Sequence, residues 1–394
     1  MTGQHDGLAR TRLGGLTREA DLLLALSRVR LDAAGQRRVH DFLGEHGRTL
    51  DWGLFIELAC AHAVLPLVGR NLVKLRLAHS AEGRALAPYR WIYAYVYEGN
   101  RQRNLALRDE YAKVLRGLNG AGVDYAVRKG PVLVEGVYPD PGVRRMGDLD
   151  VLLKRESLAE FAAVAGELGY QQGHLSRNAD TVVPFDRRTQ MVWKVNLTNS
   201  TLPFLKPAQH DDVEAFVLDP CFDLFQPRSG RSAEAAKLLA RSVPTTHFGE
   251  PSHMLDRVDQ IVDMCVQLHV EATTLMYIEL GKDLTLLKFL DLVELLRLLS
   301  PAEVAVLAER VSDFGCADSV HYALRHAGMV YPGDVDPELI ARFDTGDEEV
   351  LDLYGALDDK PQRWDRDFAE RLFDTRRWAS LTEHSTVPGP RAVV

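Results

Sequence analysis

The chain has 394 residues, 46% of them apolar and 26% charged, and a formal net charge of −9. That length predicts two or three domains, and the ordinary apolar content predicts a soluble protein. The acidic balance gives no basic field for nucleic acid, so nucleic acid is not expected as a partner, although a local basic patch stays open.

Cys60, Cys221, Cys265 and Cys316 lie far apart with no Cys-x-x-Cys spacing, no apolar leader opens the chain, and no run reaches bilayer-spanning length. The expectation is a cytoplasmic protein with reduced thiols and no membrane partner. Residues 1–16 read as a loose Gly-rich tail, and Thr17-x-x-Ala20 opens a helix with Leu22, Leu23, Leu26 and Val29 at helical spacing. A second helix is expected over 33–45, and a third after an Asp51 N-cap. Pro66 interrupts that one or starts the next, and a long helix over 91–118 is closed by Gly120-Ala-Gly122.

A different pattern begins at residue 123. Residues 123–127 read as a short strand, Lys129-Gly130-Pro131 breaks it, and 131–137 reads as a short helix with Pro in its first turn. A polar, Arg-bearing loop over 138–147 runs into Asp148-Leu149-Asp150-Val151-Leu152-Leu153. Side chains alternate faces along a strand, so Asp148 and Asp150 share one face while Leu149 and Val151 turn to a core. Two carboxylates side by side repel, and hard oxygen ligands call for Mg²⁺ or Mn²⁺. Beyond them, a helix over 157–168 is expected with Ser157 and Glu160 as a capping box, followed by a strand near Tyr170. A hairpin of 181–185 and 190–197 should turn at Asp186-Arg187-Arg188. Prolines at 203, 207, 220, 227, 244 and 251 predict irregular chain and short strands with one helix at 233–240. Residues 254–299 read as helical, further helices start at Pro301 and Ala317, and a Pro-rich tail follows Ser385.

The strand, the Lys129-Gly130 turn, the short helix and the Asp148-x-Asp150 strand together resemble the DNA-polymerase-β-like nucleotidyltransferase superfamily. Within it, the closest resemblance is to the family of uncharacterised nucleotidyltransferases. There Lys-Gly replaces the usual Gly-Ser turn and an arginine precedes the aspartates, as Arg144 or Arg145 does here. Ala61-His62-Ala63-Val64-Leu65-Pro66-Leu67, Leu168-Gly169-Tyr170 and Lys288-Phe289-Leu290-Asp291-Leu292 extend the resemblance over most of the chain. It implies an α+β fold, with a polymerase-β-like core (a mixed sheet with helices) at 101–225. Helical regions at 1–100 and 226–385 would flank the core, and a tail would cover 386–394.

The same resemblance implies metal-dependent transfer of a nucleoside monophosphate from an NTP to a small-molecule or peptide acceptor, with pyrophosphate released. Asp148 and Asp150 would be the catalytic metal ligands. Such sites hold two metal ions roughly 3.5–4 Å apart, one activating the acceptor hydroxyl and one neutralising the triphosphate. Lys129, Gly130, Arg144 and Arg145 would bind the nucleotide's phosphates. A third carboxylate is expected on a later strand, and the run 190–197 places Asn196 there. An amide carries no charge and takes no proton. Two rivals therefore stay open: a binding protein that has lost its third acid, and an Asp-x-Asp glycosyltransferase, against which the helical first 120 residues stand. Asp186 is the alternative third acid. Among other signals, His269-Val-Glu271 lacks the Pro-Cys-x-x-Cys that a zinc deaminase needs. No Walker, zincin or nucleophile-elbow motif occurs.

Overall fold

The computed structural model describes residues 8–9, 11–196 and 199–385, with the side chains of Val192, Lys194, Val195 and Asn196 outside that description. The N-terminal helices are α1 (Arg18–Leu26), α2 (Ala33–His46), α3 (Trp52–Ala61), α4 (Leu65–Lys74) and α5 (Arg90–Gly120). Thr17, Asp32 and Asp51 cap the first three through side-chain oxygens, and Pro66 sits in the first turn of α4. Helix α5 has 31 residues and spans about 46 Å at the usual helical rise. It packs so closely on α4 that a Cβ at Gly69 would lie 2.5 Å from the Tyr93 carbonyl oxygen.

The middle of the chain supplies β1 (Tyr125–Val127), α6 (Gly130–Gly136), β2 (Leu149–Leu153), α7 (Leu158–Glu167), β3 (Gln171–Leu175), β4 (Val182–Pro184), α8 (Arg187–Asn196), β5 (Phe204–His210), β6 (Val213–Cys221), α9 (Ala235–Ala240), β7 (Val243–His247) and β8 (Glu250–Met254). These eight strands form one mixed sheet in the order β4-β3-β5-β6-β2-β1-β8-β7. Strand β2 runs parallel to β6 and antiparallel to β1, and β1 is parallel to β8. All five residues of β2 are buried, the mark of a central strand covered on both faces. Leu149, Val151 and Leu153 face a cluster built with Leu107, Tyr111 and Leu115 of α5 and Phe161 of α7. Leu152 joins a second cluster shared with the N-terminal helices and with the C-terminal helices α10 (Arg257–Thr273), α12 (Leu286–Leu296) and α14 (Ala317–Val330). The even face of β2, which also carries Asp150, is therefore the one turned toward the C-terminal helices. Between and after those lie α11 (Leu275–Glu279), α13 (Pro301–Phe314), α15 (Pro337–Arg342), a small pair β9 (Leu353–Tyr354) and β10 (Gln362–Arg363), and α16 (Phe368–Phe373).

Among the described residues the fold is thus sixteen helices with a mixed eight-stranded sheet, compatible with the α+β expectation. Three local expectations are corrected. The run 190–197 is no strand: residues up to Asn196 belong to helix α8, while Leu197 and Thr198 lie outside the described residues. Asp186 starts this helix instead of turning a hairpin, its carboxylate accepting from Thr189 N at 2.6 Å. Ser157 makes no side-chain cap, because a 3₁₀ turn at Arg155–Ser157 leaves it at φ −83°, ψ 2° and not in the extended conformation that an N-cap needs. A capping box does form at Ser300 and Glu303, opening α13. In the proline-rich stretch the expected short strands and helix are present: α9 lies there, and β5–β6 and β7–β8 are hairpins of the main sheet, with the β5–β6 pairing shifting register between Pro207 and His210.

Sheet and C-terminal helices are joined by buried charge. Arg128, the residue after β1, donates from Nε to Asp263 Oδ2 of α10 at 2.9 Å, and also from Nη2 to Asp263 Oδ1 and from Nη1 to Cys221 Sγ. Removing one partner of a buried pair leaves an uncompensated charge, at a cost of about 3–5 kcal/mol. Asp263→Ala is therefore expected to lower the urea-unfolding free energy by about that amount. A loss under about 1 kcal/mol, the range of an exposed pair, would show the contact to be incidental.

Candidate active site

Three carboxylates meet where β2 and β6 run parallel. Asp150 of β2 is in register with Asp219 of β6, and Asp148 lies two residues before Asp150, on the same face. One oxygen from each of Asp148, Asp150 and Asp219 lies within 4.8 Å of the others. Asp150 is buried, and the other two are half-buried. Burial first, then the charges of Asp150 and Asp148, push Asp219 up to about 7. Burial and Asp150 push Asp148 up to about 6. Oxygen-only donors under mutual repulsion are the chemistry of a hard divalent cation, so the residues present fit Mg²⁺ or Mn²⁺. The donor set does not choose between the two.

Asp219 is the acid that the sequence reading missed. Asn196, assigned the third position from a supposed strand, ends helix α8, and its side chain lies outside the described residues. Asp186 is exposed at the start of that helix and does not belong to the cluster. The usable signal was the apolar run 215–218, followed at once by an acid just before Pro220.

Lys129 sits where β1 turns into α6, with φ 51° and ψ −119°. This backbone region is sparsely populated for a side-chain-bearing residue and costs of order 1–3 kcal/mol, a strain that concentrates at functional sites. The turn delivers Lys129 Nζ to Asp150 Oδ1 at 3.1 Å. Burial works against the ammonium's charge, Asp150 with Asp263 and Asp219 acts the other way, and the pKa stands above its usual value. Gly130 follows, and a Cβ there would come within 3.4 Å of Arg144 Nη1.

Arg144 and Arg145 part company. Arg144 is buried and forks onto Asp291 of α12, Nε to Oδ1 at 2.9 Å and Nη2 to Oδ2 at 2.8 Å, while Tyr138 donates to the same carboxylate at 2.7 Å. Its guanidinium is committed to protein. Arg145 is exposed. Helix α5 clamps the loop carrying both. Tyr97 donates to Asp140 at 2.7 Å, Asn100 to the Gly142 carbonyl at 2.8 Å, and Asn104 to the carbonyls of Pro141 and Arg144 at 2.6 and 2.7 Å. Tyr111 donates to the Gly147 carbonyl at 2.9 Å and accepts from Val217 N of β6 at 3.3 Å. Positions 97, 100, 104 and 111 share one helical face, a polar stripe legible in the sequence but not read there. From the C-terminal helices, half-buried Tyr277 of α11 lies in the field of the cluster. Burial raises its phenol, with Glu271 adding to the rise, and Lys129, Asp219 and Asp150 are among the charges acting on it.

The raised carboxyls set a pH dependence. Between the ordinary value near 3.8 and about 6 to 7, the folded metal-free site keeps protons that the unfolded chain has released. Stability from these groups is thus present at low pH and lost as pH rises through that window. A divalent cation competes with those protons, so the rise in Tm on adding Mg²⁺ is expected to be larger at pH 8 than at pH 5.5, and to shrink in Asp219→Asn. Equal shifts at both pH values, or an unchanged shift in the variant, would contradict a three-carboxylate cation site.

Among the described residues no helix is long and apolar enough to cross a membrane. No curated protein and no solved structure matches the chain. Residues 48–332, well over half of it, match the family described as uncharacterised nucleotidyltransferase, and the chain belongs to that family.

Proposed function

We propose that this protein transfers a nucleoside monophosphate from an NTP to a small-molecule or peptide acceptor and releases pyrophosphate, using a polymerase-β-like core. The observation that carries this reading is the Asp150–Asp219 register pair with Asp148 beside it, three oxygens within 4.8 Å of one another. The order of parts supports it too: strand, strained Lys-Gly turn, short helix, Asp-x-Asp strand, and a third acid on the adjoining parallel strand. Asp148, Asp150 and Asp219 would hold Mg²⁺ or Mn²⁺, which supplies charge neutralisation for the phosphates and a more acidic acceptor hydroxyl.

The chain's own groups do the rest. Lys129 places a positive charge at the carboxylates for the phosphate oxygens of the nucleotide. Arg144, bonded to Asp291, holds the loop that leads into Asp148. The acceptor oxygen attacks the α-phosphorus, the bond from that phosphorus to the bridging oxygen breaks, and pyrophosphate leaves with the electron pair. The acceptor's proton passes to a carboxylate oxygen of Asp219. The rival reading of a binding protein without a third acid rested on Asn196, and Asp219 removes its motive.

The test is pyrophosphate release from a panel of NTPs with Mg²⁺ or Mn²⁺ across hydroxyl-bearing acceptors. Asp150→Asn and Asp219→Asn are expected to lower turnover by about 100-fold or more, the scale of losing a charge partner in the transition state. Asn196→Asp is expected to leave it unchanged. Turnover that survives Asp219→Asn, or rises sharply with Asn196→Asp, would contradict this assignment of the third acid.

A further inference from the structure

Among the described residues, two guanidinium groups near the aspartates form no salt bridge with an acid. Arg103 of α5 donates from Nη1 to the carbonyl of Met146, two residues before Asp148. Arg145, next to Met146 in the chain, is exposed. Among the described residues neither makes an ion pair, whereas Arg144 between the same elements forks onto Asp291. Arg103 is half-buried, and a partly desolvated cation next to a second cation is costly unless an anion completes the site.

The path of α5 fixes which flank these arginines occupy. Near its C-terminal end, Arg116 pairs with Glu250 of β8 at 2.5 Å and Asn119 donates to the Pro251 carbonyl at 2.7 Å. Farther back, Tyr111 is bonded to Val217 of β6. The sheet runs β6-β2-β1-β8, so the helix crosses it obliquely from the β8 side toward the β6 side as one moves to its N-terminus. Arg103 lies eight residues, about two turns, beyond Tyr111 in that direction. Among the charges acting on it are Asp148 and Asp212, the latter in the β5–β6 turn. Lys129, by contrast, comes from the end of β1 and bonds Asp150. Arg103 thus reaches the chain before Asp148 from the α5 face on the β6 side, whereas Lys129 reaches Asp150 from the β1 side.

We propose that Arg103 and Arg145 form an anion-binding subsite on the β6 flank of Asp148, Asp150 and Asp219, and that the acceptor carries a phosphate or carboxylate group that docks there. This rests on the reading above in one respect, that the Lys129 flank takes the triphosphate. With that flank occupied, the β6 flank, which also carries Asp219, is where the attacking group enters. A planar guanidinium pair suits either a phosphate or a carboxylate through paired charge-assisted hydrogen bonds.

The experiment is isothermal titration of the full chain, saturated with Mg²⁺ and a non-hydrolysable NTP analogue, with inorganic phosphate and separately with acetate. The expected result is that one or both anions bind beside the analogue, and the tighter of the two names the acceptor's group. Arg145→Gln and Arg103→Gln are each expected to weaken that binding tenfold or more, while analogue affinity changes less than threefold. Arg145 has an exposed side chain, so its variant keeps the fold even if Arg103→Gln disturbs the Met146 contact. Competition between anion and analogue, or loss of the analogue in both variants, would assign the arginines to the triphosphate and overturn the proposal. Anion binding equal to the parent in Arg145→Gln would overturn it as well. If the analogue does not bind the parent at all, the nucleotidyl-transfer reading is what fails. The anion titration without analogue then decides the subsite by the same loss in the variants.

Discussion

Three carboxylates forced together on adjacent parallel strands are the constraint around which the rest of this structure is arranged. The register of β2 with β6 sets Asp150 against Asp219, and strand alternation brings Asp148 to the same face. Burial, and then the repulsion of like charges at that separation, raises the carboxyls of Asp148 and Asp219 toward neutral pH. Such an arrangement is stable only where positive charge is supplied. The protein supplies part of it with Lys129, and the donor set fits a divalent cation for the remainder.

The scaffold gives up conformational ease to hold this geometry. Lys129 takes a backbone conformation better suited to glycine. Arg128 and Arg144 are buried and would be costly alone, yet each forks onto an aspartate of the C-terminal helices, Asp263 and Asp291. Buried pairs of this kind add little net stability compared with apolar packing. Here they fix position, tying the turn before α6 and the loop before β2 to α10 and α12, so that both walls of the site are set by one group of helices. On the other side α5 holds the same loop through Tyr97, Asn100, Asn104 and Tyr111. The site is thus determined by three segments distant in sequence, and the matched family region, residues 48–332, contains all of them.

Much of this was legible in the residues. The Lys129-Gly130 turn, the short helix and the Asp148-x-Asp150 strand all stand within a residue or two of their expected places, because local periodicity and turn chemistry govern them. The third acid was not legible by the same means. The run before Asn196 is rich in Val and Trp, which favour strands, but the Asp186 carboxylate caps it as a helix. The strand that carries Asp219 runs through Pro220 to Cys221, and the prolines around it predicted only short strands of no stated position. Parallel pairing with β2 is a long-range contact that no local pattern announces. Nor does local sequence distinguish Arg144 from Arg145: only the presence of Asp291, 147 residues away in the chain, turns the first inward.

The account's central claim is that Asp148, Asp150 and Asp219 together bind a divalent cation that binds the nucleotide. Electron paramagnetic resonance of Mn²⁺ titrated into the protein, with and without a non-hydrolysable NTP analogue, tests it most directly. The account predicts that the free-ion signal is lost on binding, that the analogue tightens this uptake, and that Asp150→Asn and Asp219→Asn each abolish the tightening. Uptake that is unaffected by either substitution, or by the analogue, would contradict it.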